Sequence, residues 1–335
     1  MEMNSPKQHE ARLSVGPQHL PEGQRPEPGP IAVLPVRGRE ANEIAAVEAA
    51  GGVVAELSTD TRGVVYTSYS NVDTLIETLE QYPQIGWVQL PFAGIDAYAK
   101  RLVPHAERGV IFTSAKGAYA EPVAEHALML TLALQRLVTV RARATEWGKN
   151  GGLSLFGNNV VVLGAGGIAR TYCDLLRPFG CTVTVVRRSN GEVEEADRTV
   201  TFDQLDEVLP EADVVMLASA NTEETYRVIK AERLAAMKQT AVLVNIGRGP
   251  LVDNDALAEA LERGEIYGAG LDVTDPEPLP KEHPLWSLDR CLITPHTADT
   301  PEMVAPLIAE RIRLNVRAFL ETGEFVGIAD PVAGY

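Results

Sequence analysis

The sequence predicts an α/β protein built from two doubly wound domains of mostly parallel sheet, and three observations lead there. Short apolar, β-branched runs alternate with helical patterns along most of the chain. One of these runs opens into Gly164-Ala165-Gly166-Gly167-Ile168-Ala169, which fits a G-x-G-x-x-G/A turn between a strand and a helix. At 335 residues the chain is too long for one ordinary α/β domain, so two are expected.

Residues 1–30 are polar and crowded with proline (Pro6, Pro17, Pro21, Pro26, Pro28, Pro30). Such a segment buries too little apolar surface to offset chain entropy, so a disordered or extended tail with little regular structure is expected. Its removal is expected to leave activity and melting temperature nearly unchanged.

From Ile31 the alternation begins. Residues 31–34, 53–57 and 63–66 read as strands, with helical patterns over 40–50 and 72–79. Residues 85–90 form another strand, ending at Pro91-Phe92-Ala93-Gly94-Ile95-Asp96, and 110–113 complete a small doubly wound unit. Residues 121–137 are apolar nearly all round, which predicts a helix buried between other elements. His126, within it, reads first as a hydrogen-bonded core or interface histidine, with a substrate contact as the alternative.

The run Val160-Val161-Val162-Leu163 suits a strand buried on both faces. In the turn that follows, Gly164 permits the tight bend, Gly166 lets backbone approach a pyrophosphate, and Ala169 lets the helix pack closely. Gly167 and Ile168 open the helix, whose free N–H groups and positive dipole end favour phosphate. A second strand, 183–186, stops at Arg187-Arg188-Ser189. Further strands are expected at 214–217, 241–244, 268–273 and 291–294, each leading into a loop with a polar residue. In an open parallel sheet those loops share the edge where ligands bind, which makes Ile246 and Gly247 candidate cofactor contacts. The C-terminal helix starts at Thr300 and Pro301 and closes at Gly323, with Pro306 as a blemish in its first turns.

A formal net charge of -16 opposes nucleic acid and anionic membranes as general partners. Cys173, Cys181 and Cys291 lack metal-type spacing, so no metal site is expected, and they read as small buried hydrophobes in a reducing compartment. Neither a signal peptide nor an apolar run of membrane length is visible, and the expected setting is cytoplasmic.

Six landmarks stand in a definite order: Phe92-Ala93-Gly94-Ile95-Asp96, Ala124-Glu125-His126, the Gly164 turn, Gly247-Arg248-Gly249, Leu271-Asp272-Val273 with Pro276-Glu277-Pro278, and Thr294-Pro295-His296. In this the chain resembles the D-isomer-specific 2-hydroxyacid dehydrogenase family, from about Ile31 to the C-terminus. The resemblance implies two Rossmann-like domains with an active-site cleft between them. It places a dinucleotide-binding domain over 116–297, inserted into a discontinuous substrate-binding domain over 31–115 plus 298–335. It further implies that the N–H groups of Ala93 and Gly94 hold the substrate carboxylate, that Asp272 lies near the nicotinamide carboxamide, and that the protein is a homodimer.

The residue chemistry agrees. Reducing a 2-oxo acid requires a hydride donor, a cation for the carboxylate and ketone, and a proton donor for the nascent alkoxide. Arg248, at a strand end, offers a rigid fork to carboxylate and carbonyl. His296, fixed by Pro295 at another strand end, is the candidate proton donor. Glu277, in a proline-rich loop, is placed to orient that histidine and favour its charged form.

Three positions depart from the family pattern: Gly167 where arginine is common, Ala220 where proline is usual, and Arg187 where NAD-using members carry an acidic residue. Arg187, Arg188 and Ser189 therefore suggest NADP(H) as the preferred cofactor, with NAD(H) second. The expected activity is hydride transfer between NADP(H) and a small 2-oxo acid/D-2-hydroxy acid pair, with glyoxylate or hydroxypyruvate first. Two rivals are a formate dehydrogenase-like activity, disfavoured by Glu277, and a non-catalytic dinucleotide-sensing protein of the same fold, disfavoured by Arg248, Glu277 and His296 together.

Overall fold

The computed structural model describes residues 9–12, 16–38, 40–69 and 71–334. The chain divides into two compact units, Ala120–Thr300 and a discontinuous one of Met1–Tyr119 with Pro301–Tyr335.

The continuous unit is built on a seven-stranded sheet, parallel throughout. In space its strands run Cys291–Ile293, Gly268–Leu271, Val242–Asn245, Val214–Leu217, Asn159–Leu163, Thr182–Arg187 and Arg198–Thr201. The central strands are valine- and leucine-rich because both their faces are covered, and Val160–Leu163 and Val214–Leu217 are wholly buried. From Asn159–Leu163 the chain steps outward through two strands, then returns to the other side of its starting strand and steps outward again. That reversal opens a crevice at the carboxyl ends of Asn159–Leu163 and Val214–Leu217. Gly164 sits there at φ 119°, and a β-carbon on it would lie 2.8 Å from the Ala218 carbonyl oxygen. The helix Ala120–Gln135 packs against Gly167–Leu176 and the strands beneath, as its all-round apolarity predicts. Gly270 permits that approach, since a β-carbon there would meet Leu130 Cβ at 3.0 Å.

The discontinuous unit holds a five-stranded sheet. Ile31–Leu34, Gly63–Tyr66, Trp87–Gln89 and Ile111–Thr113 are parallel in that order, and Ile328–Ala329 pairs antiparallel with the last. The strand expected at 53–57 is reduced to a bridge between Ile31 and Val54, with Ile31 N–H donating to Val53 O at 2.9 Å. Val53 is 65% exposed, so this flank has no apolar row to bury and pairing stops after one residue. Counting the bridge as the second strand, the spatial order is 2-1-3-4-5, a doubly wound arrangement.

The C-terminal helix Pro301–Arg317 continues through Pro306 and ends in a π turn, where Gly323 at φ 71° donates its N–H to Ala318 O. Asn315, fully buried, donates to Gln89 Oε1 at 2.7 Å and pairs with both backbone groups of Val326. Phe319 stacks on Trp87 at 5.0 Å between centroids.

Part of the stretch expected to be a disordered or extended tail lies against this unit as largely extended chain. Gln18–His19 pairs antiparallel with Glu324–Phe325, and Leu20 N–H donates to Gly323 O at 2.9 Å. Arg25 donates to Leu20 O and Glu321 O, Pro26 is buried against Gly86, and Glu27 pairs with Arg62 at 3.2 Å. Proline removes backbone donors without preventing an extended chain from lying on a surface that offers its own. Residues 1–8 and 13–15 of that stretch lie outside the described residues. Among the described residues no helix is long and apolar enough to cross a membrane.

Candidate active site

The carboxyl edge of the seven-stranded sheet collects nearly all the residues singled out from the sequence. Pairing Asn245 with Leu271 and Leu271 with Ile293 aligns three neighbouring strand ends, which lead to Arg248, Asp272 and His296. Gly164 follows the fourth strand along that edge from Asp272, and Arg187 ends the fifth. At about 4.8 Å per strand, the stretch from Arg187 to Asp272 spans roughly 19 Å, enough for two nucleotides laid end to end.

At the glycine turn, a β-carbon on Gly166 would meet nothing within 4 Å, and the residue is exposed. Gly166 caps the helix Gly167–Leu176 without a side chain, so the first-turn N–H groups, Gly167 and Ile168 among them, face open space at a positive dipole end. Beside it the loop after Val214–Leu217 carries Ser219 Oγ and Asn221 Oδ1, both buried without a hydrogen-bond partner among the described residues. Buried polar atoms left unpaired are costly, and a polar ligand along this edge would satisfy them. Ser219 and Asn221 were not singled out in the sequence, and their only signal was position at the end of a strand beside the glycine turn. The set of open glycine, unspent helix donors and orphaned side chains fits a dinucleotide.

Arg187 turns back over its own loop, with Nη2 donating to Ser189 Oγ at 3.2 Å and Nη1 to Gly191 O at 3.5 Å. Arg188 and Ser189 are exposed beside it. A guanidinium and a hydroxyl thus converge where the second strand ends.

The loop Asn245–Gly249 is set by Asn245. This fully buried side chain donates to Arg248 O at 2.9 Å and accepts the Gly247 N–H at 3.1 Å. Ile246 is buried, and Gly247 has no room for a side chain, since a β-carbon would lie 2.9 Å from Ser219 O. Arg248 is half-buried, and its Nη1 donates to Gly247 O at 2.8 Å.

His296 Nδ1 lies 2.6 Å from Glu277 Oε1, and both side chains are substantially exposed. An ionised carboxylate only accepts, so it holds the ring proton on Nδ1 and leaves Nε2 as the nitrogen that gains and loses one. His296 has φ 52°, a left-handed conformation that costs a non-glycine residue on the order of 1–3 kcal/mol and collects at functional sites. Asp272, 2% exposed, holds that conformation. Its carbonyl accepts the His296 N–H at 2.8 Å, and its carboxylate accepts from Thr294 Oγ1 at 2.6 Å, Thr297 N–H at 2.9 Å and Ala298 N–H at 3.2 Å. Asp299, next in the chain, has its carboxyl pushed up by burial and by Asp272, with His296 opposing. Trp286 donates from Nε1 to Pro280 O at 2.9 Å, which ties its own loop together.

The profile of the D-isomer specific 2-hydroxyacid dehydrogenase NAD binding domain matches residues 126–298. The chain belongs to the D-isomer specific 2-hydroxyacid dehydrogenase family. It is accordingly an oxidoreductase that uses a nicotinamide dinucleotide. Among similar proteins, an uncharacterized protein from Corynebacterium melassecola is 43% identical over 258 residues, 75% of this chain and 84% of that one. A glyoxylate reductase of Pyrococcus horikoshii is 34% identical over 225 residues, 64% of this chain and 67% of that one. A solved D-isomer specific 2-hydroxyacid dehydrogenase from Xanthobacter autotrophicus Py2, in complex with NADPH and MES, superposes with a TM-score of 0.75 at 27% identity, covering 92% of this chain and 100% of that one.

The matched stretch of this family contains Gly164, Gly166, Gly167, Ile168, Arg187–Ser189, Ile246, Gly247, Arg248, Asp272, Glu277 and His296. Ala93 and Gly94 lie outside it, in the discontinuous unit, on the loop after Trp87–Gln89. That loop is anchored at both sides, by Tyr119 Oη donating to Pro91 O at 2.7 Å and Ala115 N–H donating to Phe92 O at 3.0 Å.

Proposed function

We propose that this dehydrogenase reduces a small 2-oxo acid to the D-2-hydroxy acid with NADPH, glyoxylate and hydroxypyruvate being the first candidates. The observation that carries the reading is the 2.6 Å contact between His296 Nδ1 and Glu277 Oε1, on the same sheet edge as the glycine turn. A dinucleotide held at the Gly164–Ile168 turn and along the edge past Gly247 and Asp272 would supply the hydride. His296 delivers the Nε2 proton to the carbonyl oxygen as it becomes an alkoxide, and Glu277 keeps the ring oriented through Nδ1. Arg248 pairs with the carboxylate and polarises the ketone through its planar fork. A part for Ala93 and Gly94 in holding the carboxylate rests on the family resemblance alone, as does Asp272's proximity to the carboxamide.

The NADPH preference is supported by Arg187 and Ser189, which present a guanidinium and a hydroxyl to the ribose 2′ position where an acidic residue would repel a phosphate. The glyoxylate reductase name of the Pyrococcus horikoshii relative supports the choice of acid, and the NADPH in the Xanthobacter autotrophicus structure supports the choice of cofactor. Self-association as a homodimer is supported by Trp147, 97% exposed, and Phe156, 68% exposed. A reducing, cytoplasmic setting suits the three free cysteines.

The test is a panel of 2-oxo acids assayed with NADH and NADPH in parallel. Acid-dependent oxidation of NADPH, fastest with glyoxylate or hydroxypyruvate, is expected. Cofactor binding without turnover of any acid would favour a dinucleotide sensor instead.

A further inference from the structure

The helix Ala120–Gln135 carries His126, a histidine whose side chain is 15% exposed and which the proposed reaction does not use. Its Nε2 lies 2.9 Å from Thr294 Oγ1 and 3.5 Å from Asp272 Oδ1. Thr294 in turn donates to Asp272 Oδ1 at 2.6 Å. A hydroxyl has one proton, and this one goes to the carboxylate, so the His126–Thr294 bond requires the proton on His126 Nε2. The direction of the chain is therefore fixed: imidazole N–H to hydroxyl, hydroxyl to carboxylate.

The carboxylate at the end of that chain is the group that shapes the His296 loop. It receives the N–H groups of Thr297 and Ala298, while the Asp272 carbonyl receives that of His296. His296 stands between these bonds in its left-handed conformation. Rotating the Asp272 carboxylate would release Thr297 and Ala298 and let the backbone at His296 relax to negative φ, carrying the imidazole away from Glu277. Thr294, held in turn by His126, is the side-chain donor that opposes this rotation. His126 lies on a helix 168 residues before Thr294, so the clamp ties the histidine loop to a rigid element outside its own strand.

We infer that His126 is a positioning residue for His296, acting through Thr294 and Asp272. The inference rests on the reading of His296 as the proton donor. It needs only an N–H donor at position 126 and a hydroxyl at 294, which makes it separable from a packing role. His126→Gln keeps an N–H in the place of Nε2, whereas His126→Leu keeps volume without it. Thr294→Ser keeps the hydroxyl, whereas Thr294→Val keeps only the shape.

With NADPH and glyoxylate, His126→Leu and Thr294→Val are expected to lower kcat by roughly 10- to 100-fold, the scale of an ångström-sized misplacement of a catalytic group. The NADPH dissociation constant, read by fluorescence, should change far less than kcat, because the proposed phosphate and ribose contacts lie at the glycine turn and Arg187, away from the clamp. His126→Gln and Thr294→Ser should recover most of the rate. The double variant His126→Leu/His296→Asn should be no slower than His296→Asn alone, since a positioning residue has nothing left to position. Wild-type kcat in both His126→Leu and Thr294→Val overturns the inference, as do equal losses in His126→Leu and His126→Gln, additive losses in the double variant, or NADPH affinity that falls in step with kcat. If His296→Asn itself keeps the wild-type rate, the reading of His296 has failed, an outcome distinct from the failure of the clamp.

Discussion

A β-carbon on Gly249 would overlap the carbonyl oxygen of Thr274. The loop that presents Arg248 therefore touches the loop that leads to Glu277 through bare backbone. Thr274 adds to the fit by donating its hydroxyl to Pro276 O at 2.9 Å. The glycine is held there by a neighbour's main chain, which cannot turn aside as a flexible side chain would.

Gly249→Ala is expected to destabilise the protein by about 1–3 kcal/mol, the usual cost of forcing extra volume into a packed site. The kcat for 2-oxo acid reduction should fall as well, because relief of the clash moves Arg248, Glu277 or both. A melting curve and a rate measurement on the same variant check both parts, and unchanged values of each would show that the loops separate freely.

Replacing Arg187 and Arg188 together with alanine should weaken NADPH by about 1.5–3 kcal/mol per charged hydrogen bond lost and leave NADH nearly unaffected. Arg187 is turned toward Ser189 Oγ, and a 2′-phosphate would take over part of that contact. Michaelis constants for both cofactors decide it: equal losses for the two would show that these side chains shape the loop without reading the phosphate.

Removal of residues 1–29 should lower the melting temperature. The deletion takes away the Gln18–His19 pairing, the Arg25 bonds and the Pro26 packing. A loss of about 2 kcal/mol corresponds to roughly 4–8 °C for a domain of 150–250 residues. A truncated chain that melts with the full one would restore the sequence-based expectation that this segment is dispensable.

Asp299→Asn should stabilise the protein more at pH 7 than at pH 3.5. Burial holds the Asp299 carboxyl above its ordinary value against the opposing pull of His296, with a smaller contribution from Asp272. A carboxyl raised in the folded state contributes stability that is present below its unfolded value and is lost as pH rises through its folded one. The amide escapes that loss. Melting temperatures of both proteins across this range are the check, and a gain that is flat with pH would show that the carboxylate is solvated.

The doubly wound sheet of the continuous unit was legible because strands covered on both faces leave unbroken runs such as Val160–Leu163 and Val214–Leu217. Arg198–Thr201 was not, because an edge strand spelled Arg-Thr-Val-Thr needs only one buried residue, Val200. Ile328–Ala329 was too short for any period to show. The contact between Glu277 and His296 could be anticipated because each residue sits beside a proline in a loop on the same sheet edge. The partners of His126 could not, since a histidine in an apolar helix gives no sign of which distant strand end it will meet. The N-terminal stretch misled for a related reason: its anchorage comes from Glu324–Phe325, more than 300 residues away, rather than from an apolar pattern of its own.

The discontinuity of the first unit bears on how the chain is made. Ala120–Thr300 is a single run and can close its sheet once it has left the ribosome. The unit that precedes it in synthesis must wait. Its helix Pro301–Arg317, the Asn315 bonds to Gln89 and Val326, and the edge strand Ile328–Ala329 are all translated after that run. Until they emerge, the edge of Ile111–Thr113 stands open for another strand, and Trp87 lacks Phe319. The unit begun before Ala120–Thr300 is thus finished after it, and the nascent chain is most exposed to misassembly in between.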